Sequence, residues 1–67
     1  MMTIKDAIAK AKVATWFMVL VDGRHDLYLD NERETIAEKY ADRKVTRIVG
    51  MGNEGLNTAQ SVKIVLA

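Results

Sequence analysis

Several groups of residues in this chain have the types and spacing that could do chemistry. Gly50-Met51-Gly52-Asn53-Glu54-Gly55 matches the pattern G-x-G-x-x-G and follows the apolar run Val45 to Val49. At a strand-to-helix turn, such a loop offers backbone amides and a helix N-terminus to a pyrophosphate. Ala59 falls where a dinucleotide-binding turn often has a small residue. The pattern needs a βαβ unit around it, with an acid about 20 residues later on a second strand. The chain ends twelve residues after Gly55, and Val62-Lys63-Ile64-Val65-Leu66, where the helix should be, is rich in β-branched residues. The glycines are therefore expected to serve a loop that needs positive φ angles, and no cofactor is expected.

His25 stands beside Asp22 and Asp26, with Asp30 further along. An imidazole and carboxylates could hold a divalent ion. Asp22 belongs to a turn, however, and a strand sends His25 and Asp26 to opposite faces. The spacing also lacks the alternating acids of a calcium loop, so a solvated hairpin tip is expected. Ser61 is the only serine, and nothing in the sequence brings His25 to it. With no cysteine and one histidine, a structural zinc site has too few ligands. A chain of 67 residues leaves little room for a core, a pocket and a positioned catalytic group together. No enzyme activity, catalytic residue or metal site is expected.

The elements that would carry these residues form one small domain spanning residues 1–67. Such a domain buries only about 60% of the surface its unfolded chain exposes. Without disulfides or a metal, a partner subunit is the remaining common support. The absence of cysteine fits a cytoplasmic protein. No secretory signal is apparent, and the longest apolar run, Val13 to Val21, falls short of a membrane span. A net charge of +1 gives no electrostatic argument for nucleic acid or membrane, and 28% charged with 49% hydrophobic residues suits a globular chain.

Thr3 and Asp6 stand at capping-box spacing before Ile4, Ala7, Ile8 and Ala11, which predicts a short helix ending near Lys12. Ala14 to Val21 reads as a strand ending at Asp22-Gly23, a strong hairpin signal, and the return strand runs to Leu29. Asn31 and Glu34 suggest the cap of a second helix with Ile36, Ala37, Tyr40 and Ala41 as its apolar stripe; Arg43 and Lys44 suit its C-terminal end. Val45–Val49 and Ser61–Leu66 read as further strands, with Val62, Ile64 and Leu66 facing inward. The expected fold is α+β in the order α-β-β-α-β-β: two antiparallel hairpins forming a four-stranded sheet with two helices on one face.

Period-two alternation divides the first hairpin into two sets. Trp16, Met18, Leu20, Leu27 and Leu29 are expected in the core. Phe17, Val19, Val21 and Tyr28 then fall on the face opposite the helices, beside the polar Arg24 and Asp26 and joined by Arg47 and Lys63 from the second hairpin. A contiguous exposed apolar face on a small domain marks an interaction site. The leading expectation is a non-catalytic protein-interaction module that self-associates as a homodimer through this face, or docks another protein there. The alternative is single-stranded nucleic-acid binding, with Phe17 and Tyr28 stacking on bases and Arg47 and Lys63 on phosphates. A third possibility is a strongly twisted sheet whose N-terminal helix covers the face.

Overall fold

A computed structural model describes residues 2–52 and 55–67. Helix α1 (Ile4–Lys10) begins at the expected capping box: the Thr3 hydroxyl accepts from the Asp6 amide at 3.2 Å, and Asp6 reaches back to the Thr3 amide. Its buried residues are Ile4, Ala7 and Ile8. Strands β1 (Trp16–Val21) and β2 (Arg24–Leu29) form a hairpin in which Val21 pairs with Arg24. Asp22 and Gly23 both have positive φ, 51° and 76°. That is the geometry a two-residue I′ turn imposes and the reason an Asp-Gly pair favours it.

The second helix does not start at Asn31. A 3-10 turn, η1 (Asp30–Glu32), intervenes, in which Glu32 accepts from the Leu29 amide at 2.9 Å, and α2 (Arg33–Lys39) follows. Ile36 and Tyr40 are buried from the expected stripe and Ala37 partly so, whereas Ala41 is exposed. Arg43 binds Asp22 at 2.6 Å and the Ala67 carbonyl at 3.1 Å, tying the first hairpin tip to the end of the chain.

Strands β3 (Val45–Gly50) and β4 (Ser61–Leu66) form the second hairpin. The sheet order is β2-β1-β4-β3, and β1 pairs with β4 in parallel. The sheet is thus mixed: each hairpin is antiparallel, but the two meet through a parallel pair. The α2 segment carries the chain from one sheet edge to the other, so β4 returns beside β1 running the same way. On the β3 edge, a register shift between Val45 and Arg47 turns Val45 toward Leu66 and Arg47 toward Val65. The Thr46 hydroxyl there donates to the Val65 carbonyl at 3.1 Å.

The core lies on the odd-numbered face of β1. Phe17, Val19 and Val21 are buried with Val62, Ile64 and Leu66 of β4 beneath Ile4, Ile8, Ile36 and Tyr40. Arg33 locks this layer. Its guanidinium donates to the carbonyls of Ile8, Ala11 and Ala14 at 3.0, 2.8 and 3.0 Å, pairs with Asp30, and lies 4.9 Å from the centre of the Phe17 ring. Charge-assisted hydrogen bonds are individually worth about 1.5–3 kcal/mol, and their loss strands the partner carbonyls. Arg33→Met is therefore expected to destabilise the fold by about 2–4 kcal/mol. Thermal unfolding followed by circular dichroism should show a drop of roughly 10 °C or more. Arg33→Lys, with no planar fork to span three carbonyls, should recover only part of it.

Candidate protein-docking face

The other face of the sheet can be built row by row from the strand register. Leu29, Trp16 and Ser61 lie across the first row; Leu27, Met18, Lys63 and Val49 across the second; His25, Leu20, Val65 and Arg47 across the third. Both α1 and α2 pack on the opposite side, so this face has no helix over it. Trp16 is 50% exposed, Leu27 59% and Leu29 43%. Met51, whose amide donates to the Ser61 carbonyl at 2.9 Å, adds an exposed thioether at the Trp16 end. Trp16, Met18, Leu27 and Met51 border a shallow apolar depression of about 280 Å³.

The two faces are therefore exchanged relative to the sequence-based expectation. Phe17, Val19, Val21 and Tyr28 form core, not surface: Phe17 is 0% exposed. The set expected in the core, Trp16, Met18, Leu20, Leu27 and Leu29, is the open one. The polar neighbours Arg24 and Asp26 pointed to water, and they do share a side with Val21 and Val19. They stand on an edge strand, however, where their ends reach the rim. Asp26 accepts there from Tyr40 at 2.6 Å and from Arg24 at 3.4 Å. Arg47 and Lys63 do stand on the face opposite the helices, but without the aromatic pair. Phe17 lies under Arg33, and Tyr28 meets Tyr40 edge-on with ring centres 6.1 Å apart. Neither can stack on a base. Phe17 and Val19 share the core with Val62 and Ile64, their partners across the parallel pair, a pairing that no signal within either strand states.

The other groups stay apart. Ser61 is in the row of Trp16 and His25 in that of Leu20, four residues along the strand, or about 13 Å. Asp22 is held by Arg43, and His25 and Asp26 point to opposite faces. Among the described residues, no group of side chains is arranged to hold a metal ion. Of the glycine pattern, Asn53 and Glu54 lie outside the described residues. Gly52 has φ +70°, and turns from 56 to 58 lead into β4 where a dinucleotide site would need a helix. No helix among the described residues is long and apolar enough to cross a membrane. Comparison with protein-family models, curated proteins and solved structures finds no match.

Tyr28, Tyr40 and Asp26 form a polar chain that runs from the core to its margin. Tyr40 gives its single proton to Asp26, so Tyr28 must donate to Tyr40 across 2.8 Å. Burial, then the Asp26 carboxylate, pushes the Tyr40 hydroxyl far above its ordinary range. The Tyr40 hydroxyl, then Arg24, holds Asp26 below the usual carboxylate range; Arg43 does the same for Asp22.

Two predictions follow from this geometry. Phe17→Ala should cost about 3–5 kcal/mol, and Leu27→Ala about 0.5 kcal/mol or less, in urea unfolding of the two variants. For pH, lowered carboxyl values mean stability that is present above about pH 4 and lost as Asp26 and Asp22 take up protons below it. The raised Tyr40 value means stability that is present below about pH 10 and lost as pH rises beyond it. Unfolding midpoints should thus be flat between these limits. Asp26→Asn should flatten the acid limb, and Tyr40→Phe the alkaline one.

Proposed function

We propose that the chain is a non-catalytic protein-interaction module that docks its partner on the open face of the sheet. The observation that carries this reading is the run of Trp16, Met18, Leu27 and Leu29 across β1 and β2, with no helix over it. Contiguous apolar surface of this kind on a small domain is a recurrent sign of a binding site. A cytoplasmic setting belongs to the same proposal and is supported by the lack of cysteine.

A second copy is the other occupant that the face favours on size. A standard interface takes about 800 Å² from each partner. That is close to one whole side of a body 26 × 22 × 21 Å across with 4332 Å² of surface. Single-stranded nucleic acid is less well supported, because Trp16 is the only aromatic residue on the face.

Placing a photo-crosslinking residue at Leu27, and in a second variant at Glu34 on α2, tests the reading in cells producing the chain. Protein adducts are expected from position 27 and not from 34, and they should disappear when Met18→Lys is added. An adduct of twice the chain's mass identifies the second copy. Nuclease-sensitive adducts, no adducts, or the same adducts from both positions overturn the proposal.

A further inference from the structure

We propose that the partner is a different protein, whose docking surface combines apolar side chains with a carboxylate that meets Lys63; this rests on the docking reading above. Lys63 is on β4, an interior strand, between Met18 on β1 and Val49 on β3. It therefore sits near the middle of the open face and is half-buried there. Arg47 and His25 stand in the next row, on the two edge strands, and no carboxylate occupies any register position of the face. Neither Arg47 nor Lys63 takes part in an ion pair among the described residues. Asp22, Asp26 and Asp30 are each engaged with an arginine away from this face.

Such a face is apolar in extent and one-signed in charge. A half-buried lysine can lay its stem along apolar neighbours and keep its ammonium hydrated, and Met18 and Val49 are the cross-strand neighbours of Lys63. A docked partner removes that water, and an unpaired buried cation is strongly unfavourable unless a carboxylate replaces the lost solvation. A symmetric pair of copies meets this face with itself. Two ammonium groups and two guanidinium groups would then share one interface with no carboxylate at its strand register positions. Like charge brought together across an interface opposes association of a surface with itself. Lys63 thus selects a partner with an apolar surface bearing Asp or Glu, and works against the second copy.

The test titrates the full chain with three helical peptides that share one leucine stripe and are flanked by Glu, Gln or Lys. The emission of Trp16, the only tryptophan, is the readout. The Glu peptide is expected to bind about tenfold more tightly than the other two, a difference typical of one complementary charge in a partly desolvated contact. The preference should shrink at high salt, vanish in Lys63→Gln and reverse in Lys63→Glu. In sedimentation, the natural chain should be monomeric and Lys63→Leu should self-associate. Equal binding of the Glu and Gln peptides overturns the carboxylate inference and leaves the docking reading standing. No response to any peptide overturns both. A natural chain that is already dimeric, or an oligothymidine that moves Trp16 emission where the peptides do not, replaces this partner with a second copy or with nucleic acid.

Discussion

The arrangement depends on where Arg33 puts its guanidinium. Three carbonyls at the end of α1 and the segment after it, Ile8, Ala11 and Ala14, converge on that one group, while Asp30 holds it from the η1 side and Phe17 lies beneath it. The last carbonyls of a helix lack the usual partner one turn on; that of Ile8 takes the Ala11 amide at 3.1 Å beside the Arg33 guanidinium. Satisfying them from the first residue of α2 fastens both helices to each other and to the same side of β1. Once the helices are committed to that side, the other side of the sheet has nothing left to cover it. The open face is thus a consequence of a contact on the far side of the sheet.

Much of the fold was legible in local sequence because local chemistry decides it. Thr3 and Asp6 mark a helix start through two short-range hydrogen bonds, and Asp22-Gly23 accepts the two positive φ angles a tight hairpin needs. Element order and the inward set on β4 followed from such signals. The choice between the two faces of β1 did not, because alternation separates two sets of side chains without saying which is inside. That choice rests on contacts distant in sequence: β1 beside β4, and Arg33 over Phe17. Arg33 itself looked like an ordinary charged residue in a first helical turn. Its carbonyl partners lie 19 to 25 positions earlier, and no periodicity links them.

Polar residues misled for a related reason. Arg24 and Asp26 made their side of β2 look solvated, yet that side holds Tyr28, which is buried. An edge strand reconciles the two: the ring is covered by Tyr40 of the α2 end, and the carboxylate sits at the margin where it receives the Tyr40 proton. Two tyrosine hydroxyls thereby enter the core margin with their hydrogen bonds made. The parallel β1–β4 pairing was illegible for a different reason, since nothing in either strand states which neighbour the α2 crossover will deliver.

The open face can then be understood as an economy of size. Each helix has seven residues, which is about 10 Å of length. Two such rods cover one side of a four-stranded sheet and no more. Within these 67 residues one apolar side of the sheet is buried under the helices and the other carries none. Leaving Trp16, Leu27 and Leu29 exposed invites indiscriminate contact, and a purely aliphatic middle would make every like surface a match. A single ammonium at the centre changes the terms: it costs little while hydrated, and on docking it asks for a specific opposite charge. In the proposed docking, apolar area would supply the attraction and Lys63 the discrimination, so that an open sheet face could distinguish one protein surface from another.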